Sequence, residues 1–121
     1  MSKVLIVDDS PTEVHVFKSW LEKGGFKVIT AENGEEGLAQ AKAEKPDAII
    51  MDVVMPGMSG FQATRQLSRD ADTSGIPVVI VTTKDQETDK IWGMRQGAVD
   101  YLVKPITEEQ LTGKLKEAIG G

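Results

Sequence analysis

Short apolar runs alternate with amphipathic stretches five times along the chain. The runs at 4–7, 27–31, 48–51, 78–81 and 101–103 are rich in β-branched residues and predict strands. The first, third and fourth are almost wholly apolar, as suits central strands covered on both faces, whereas Lys27, Val28, Ile29 and Thr30 mix polarity and suit an edge. Helix signals fill the gaps. Ser10-Pro11-Thr12-Glu13 offers an N-cap, a proline at the first helical position and a glutamate three residues after the cap. Val14, Phe17 and Leu21 then share one face up to a stop at Gly24-Gly25, with His15 out of step and on the solvent side. Asn33 with Glu36, and Thr107 with Gln110, repeat the capping-box spacing. Two more helices are expected from about 60 to 69 and from about 86 to 96, the second followed by Gly97, which suits a left-handed backbone. Ile91 is expected in the core, and Trp92 beside it partly exposed. Strand and helix in strict alternation predict βα units around a parallel sheet. No repeat or linker interrupts them, so residues 1–121 read as a single domain with no effector domain attached.

Composition narrows the function more than the fold. A hydrophobic content of 40% in short blocks supports a packed core, and a net charge of −5 argues against nucleic acid or anionic membrane as a partner, since both need clustered Lys and Arg. The chain has no cysteine, which removes disulfides and thiolate metal sites. Its start leads straight into a strand without a signal-like apolar segment, and no run approaches the roughly 18 apolar residues of a membrane helix. A cytoplasmic monomer without membrane insertion is expected.

The chemistry lies where the apolar runs end. Asp8 and Asp9 follow the first run, Asp52 the third, Thr82 the fourth and Lys104 the fifth. In a parallel α/β sheet those positions share the carboxyl edge, where ligands bind. Clustered carboxylates repel, so they must bind a cation or take up protons, and Mg²⁺ is the simpler answer because it prefers oxygen ligands and keeps exchangeable waters. No glycine-rich phosphate loop accompanies them.

With Asp8-Asp9-Ser10, Asp52-Val53-Val54-Met55-Pro56-Gly57, Val81-Thr82-Thr83, Gly97-Ala98-Val99-Asp100-Tyr101 and Lys104-Pro105 in this order, the chain resembles CheY-like response-regulator receiver domains over its whole length. Asp9-Ser10-Pro11-Thr12-Glu13, the segment from Gly60 to Leu67 and the segment from Thr83 to Gly93 are similar to PilH-type regulators of type IV pilus twitching motility. The resemblance implies a (βα)₅ flavodoxin-like, doubly wound sheet of order 2-1-3-4-5, an order borrowed from such proteins. It implies that Asp52 accepts a phosphoryl group from a CheA-like histidine kinase, with Asp9 and Asp52 ligating Mg²⁺, Asp8 holding a metal water and the Val54 carbonyl adding an oxygen. Lys104 would pair with Asp52 and then with the phosphoryl group, and Thr82 would donate its hydroxyl to it. Tyr101 would exchange an outward for an inward rotamer and reshape the surface of the fourth helix, fifth strand and fifth helix, which meets an unidentified docking target. The Lys104-Pro105 bond would be cis. Val54 lacks the amide that could position an attacking water, and Lys84 could lie over the phosphoryl group, so slow dephosphorylation is expected. A phosphate sink for a shared kinase is the alternative within this class. A flavin carrier would bring its phosphate against Asp8 and Asp9, and a Mg²⁺-dependent phosphohydrolase would need an Asp-x-Asp nucleophile motif and a cap; both fit the chain poorly.

Overall fold

Five parallel strands, β1 (Lys3–Val7), β2 (Lys27–Ala31), β3 (Ala48–Met51), β4 (Val78–Thr82) and β5 (Asp100–Val103), form one sheet of order β2-β1-β3-β4-β5. The computed structural model describes residues 2–120; Met1 and Gly121, the two ends of the expected domain, lie outside the described residues. Helices α1 (Pro11–Lys23), α2 (Gly34–Glu44), α3 (Gly60–Arg69), α4 (Glu87–Arg95) and α5 (Glu108–Gly120) connect the strands. The three apolar strands are central and β2 is an edge, as their polarity predicts. The sheet divides the core in two. Leu5, Val7, Ile49, Met51 and Ile80 pack with Ala63, Leu67 and Tyr101 on one face, and Val4, Ile6, Ile50, Val79 and Val81 pack with Phe17, Leu21, Leu111 and Leu115 on the other.

Local sequence accounts for the helix boundaries. Thr107 and Gln110 close a reciprocal capping box before α5, as do Ser59 and Gln62 before α3. Asn33 caps α2 through its side chain alone. Gly97 lies at φ 115° after α4, the left-handed region expected there.

Helix α4 departs from expectation. Ile91, assigned to the core, is 45% exposed, and Trp92 beside it is 49% exposed. Gly93 takes the sheet-facing position instead, because the helix lies so close that a Cβ there would stand 2.9 Å from Ile80 Cδ1 and from Tyr101 Cδ2. Gly93 is thus the one buried residue within α4. The C-terminal end is fastened by Ser68, whose hydroxyl donates to the Gln96 carbonyl at 2.8 Å, with Gln96 itself buried.

Candidate functional site at the carboxyl edge of the sheet

Three of the residues expected at the sheet edge are held there by backbone hydrogen bonds that continue past the strand ends. The N–H of Asp8 donates to Ala31 of β2 at 3.1 Å, that of Asp52 to Val7 of β1 at 2.9 Å, and that of Lys104 to Thr82 of β4 at 2.8 Å. Because Val7 pairs with Met51 in the register, the residues that follow, Asp8 and Asp52, stand side by side. Both are buried. The Lys104-Pro105 peptide is cis, as the family resemblance implies.

Lys104 sits among three carboxylates. Its Nζ lies 3.1 Å from Asp8 Oδ2 and 3.4 Å from Asp52 Oδ2, and it donates a hydrogen bond to Glu13 Oε2. The Lys104 side chain is 8% exposed, so its pairs with the buried Asp8 and Asp52 are shielded from water and salt. The other oxygens of the buried acids are also engaged: Asp8 Oδ1 accepts the Ser10 N–H at 2.9 Å and Asp52 Oδ1 accepts the Val53 N–H at 2.7 Å.

Glu13 was expected only as part of a helix cap. Its N–H does donate to the Ser10 hydroxyl oxygen at 3.4 Å, but its carboxylate does not return to the Ser10 N–H, which Asp8 occupies. The half-open cap leaves Glu13 free to face Lys104. One signal in the sequence marks it, since Glu13, Phe17 and Leu21 follow one another at spacings of four and share the inward face of α1.

The adjacent pair Asp8-Asp9 divides. Asp8 turns into the cluster, whereas Asp9 is exposed and lines a cleft of about 540 Å³ with Glu32, Asn33 and Met58. The carboxylates whose oxygens lie within 4.8 Å of one another are Asp8, Glu13 and Asp52. Thr82 is fully buried at the end of β4, its Oγ1 accepting the Lys84 N–H at 3.4 Å. The Lys84 ammonium is drawn to Asp89 at 3.9 Å. Val54, on the loop after β3, is 54% exposed. His15 is exposed on α1. Tyr101 is turned inward, with its hydroxyl donating to the Lys84 carbonyl at 2.9 Å.

Burial decides the protonation tendencies. It pushes the carboxyls of both Asp8 and Asp52 above the ordinary value, and the pull of Lys104 only partly offsets this. Burial alone would lower Lys104, but the bond to Glu13 and the charges of Asp52 and Asp8 outweigh it and hold the ammonium firmly protonated. Burial, then the nearby charges of Asp89, Asp52 and Asp85, raise the Tyr101 phenol to about 12, so it stays a hydrogen-bond donor.

One ammonium thus faces three carboxylates. This excess of negative charge, presented entirely on hard oxygen donors, fits a divalent cation such as Mg²⁺.

Residues 4–116 match the family model of the response regulator receiver domain. The chain belongs to that family. The receiver domain is 60% identical to protein PilH of Pseudomonas aeruginosa, over the full length of both chains. It is 39% identical over 114 residues to the alkaline phosphatase synthesis regulator PhoP of Bacillus subtilis, spanning 94% of this chain and 47% of that one. Among solved structures it superposes on the chemotaxis protein CheY4 of Vibrio cholerae with a TM-score of 0.92 at 36% identity, covering 98% of each. A receiver domain of a sensor histidine kinase from Pseudomonas aeruginosa, solved with a magnesium ion coordinated in its active-site cleft, matches with a TM-score of 0.92 at 28% identity over 99% of this chain and 98% of that one. The receiver domain described here is therefore a response-regulator signalling domain of the kind that interacts with histidine kinases and binds Mg²⁺ at an acidic pocket. Among the described residues no helix is long and apolar enough to cross a membrane.

Proposed function

We propose that Asp52 is the phosphoacceptor of a PilH-like regulator acting in type IV pilus twitching motility, with a CheA-like histidine kinase as donor. The observation that carries this reading is the meeting of Asp8, Asp52 and Lys104 at the carboxyl edge of the sheet, in a chain so similar to PilH. Asp52 Oδ2 is the attacking atom, because Oδ1 is tied to the Val53 N–H. Attack on the phosphorus of a phosphohistidine forms the O–P bond and breaks the N–P bond, and the electron pair returns to the imidazole. Asp9, Asp52, the Val54 carbonyl and Asp8, the last through a water, would hold Mg²⁺. The ion supplies charge neutralisation between carboxylates and phosphoryl oxygens. Lys104 gives part of its hydrogen bonding to one phosphoryl oxygen, as its compact charge on a flexible stem permits. Thr82 gives its hydroxyl to another, and Lys84 must leave Asp89 to reach the group.

Drawing Thr82 toward a phosphoryl group pulls on the Lys84 N–H it accepts, and Lys84 in turn holds the Tyr101 hydroxyl. The β4–α4 loop and Tyr101 therefore move together, and α4, β5 and α5 carry the output to a docking target, which we place at the pilus machinery. Incubation with acetyl phosphate and Mg²⁺ should add one acid-stable, base-labile phosphoryl group that Asp52→Asn does not acquire; labelling that survives Asp52→Asn would defeat this assignment. The exposed, apolar Val54 offers nothing to orient a water, so the acyl phosphate should be long-lived and Val54→Asn should shorten its half-life by about tenfold, the effect of about 1.4 kcal/mol on the barrier. Equal half-lives on a phosphate-affinity gel would refute that role.

A further inference from the structure

The geometry points to Glu13 as a positioning residue that holds Lys104 back from Asp52 until a phosphoryl group arrives. The inference rests on Asp52 being the phosphoacceptor. Lys104 donates to Glu13 and to Asp8, the latter at 3.1 Å, while Asp52 stands farther off than Asp8, at 3.4 Å. The arrangement is not a default of the helix terminus. Closing the capping box would have turned the Glu13 carboxylate back to Ser10, and the structure spends the Ser10 N–H on Asp8 instead. Glu13 is also the least buried of the three, with a side chain 37% exposed, so it can release Lys104 and be rehydrated at less cost than either aspartate.

Two consequences follow for the site. In the unmodified protein Asp52 keeps a weakly neutralised oxygen for attack. In the modified protein Lys104 must divide itself between Glu13 and a phosphoryl oxygen, so Glu13 weakens the hold on the phosphoryl group. The position thus tunes the lifetime of the phosphorylated form through its hold on Lys104.

The test is a double-mutant cycle on beryllofluoride, the phosphoryl analogue, titrated at magnesium concentrations that saturate each variant and followed by amide shifts in NMR. Glu13→Gln should bind beryllofluoride about tenfold more tightly than the wild type, as expected for one charge-assisted contact released to the ligand. Glu13→Asp, which keeps the charge but shortens the reach, should behave like Glu13→Gln if the contact to Lys104 matters. In a Lys104→Met background, Glu13→Gln should have no effect. An equal tightening in that background, or a wild-type-like Glu13→Asp, would reduce Glu13 to a diffuse charge and overturn the inference. A wild type that binds beryllofluoride only through a residue other than Asp52 would instead remove the phosphoacceptor reading beneath it.

Discussion

Gly60→Ala is expected to cost about 3 kcal/mol or more, a large part of the roughly 5–15 kcal/mol that holds a small domain folded. The reason is space. A Cβ at Gly60 would stand 1.9 Å from the Asp52 carbonyl oxygen and 2.8 Å from Val53 Cα, both backbone atoms that no rotamer change can move. The Gly60 N–H also donates to the Val53 carbonyl at 3.0 Å, so the start of α3 is sewn to the chain just beyond Asp52. Relief of the clash would have to displace Asp52 itself. Gly113→Ala, inside α5 with nothing within 4 Å of the added atom, is the matched control and should stabilise by about 0.5–1 kcal/mol. Urea unfolding of the two variants beside the wild type measures both. Equal, small changes would show that the β3–α3 loop yields more readily than its contacts imply.

In magnesium-free buffer at neutral pH, Asp8→Asn and Lys104→Met should move stability in opposite directions. Lys104 has three carboxylate partners, so losing Asp8 leaves it still paired while relieving repulsion from Asp52 and Glu13; a gain of about 1 kcal/mol is expected. Losing Lys104 leaves three acids crowded without a counter-charge and should cost about 3 kcal/mol. The pH dependence has a definite sign. The folded protein holds the Asp8 and Asp52 protons above 3.8, the ordinary value at which an unfolded chain releases them. The stability linked to these groups is fully present below that value and is lost as pH rises through the raised folded values. Wild-type protein in chelator should therefore weaken across that window toward neutrality, and Asp8→Asn should weaken less. Saturating Mg²⁺ should restore the wild type preferentially, by about 2.7 kcal/mol at a hundred times its dissociation constant. A wild type that gains nothing from Mg²⁺ would contradict the reading of this cluster as a cation site.

Most of the site is legible in the sequence because parallel strands buried on both faces must be apolar throughout, so the first polar residue after each run marks the sheet edge. Asp8, Asp52 and Lys104 are found this way, and Thr82 falls only one place inside its strand. Order within the sheet is not legible so directly, since alternation fixes the βα units but not their sequence across the sheet, and it had to be taken from resemblance. Glu13 was missed because its spacing from Ser10 has a sufficient local explanation, and only the competing bond from Ser10 to Asp8 shows that this explanation is incomplete. Ile91 was misplaced for a related reason. An apolar residue in a helix is assigned to the core, whereas α4 approaches Ile80 and Tyr101 so closely that Gly93, which carries no apolar side chain to mark it, takes the inward position.

Ser68 gives α4 an unequal footing. Its bond to Gln96 pins one end of the helix to α3, and a Cβ on the neighbouring Gly97 would meet Ser68 at 2.7 Å, so that joint has no slack. At the other end residues 84–88 are exposed and are joined to the rest of the molecule chiefly through the Tyr101 and Thr82 contacts of Lys84. The helix is thus a lever with its fulcrum at the C-terminus and its free arm beside the end of β4. A displacement of Thr82 would enter at the long end, and Ile91, Trp92 and Met94, the exposed apolar residues along the arm, would swing with it.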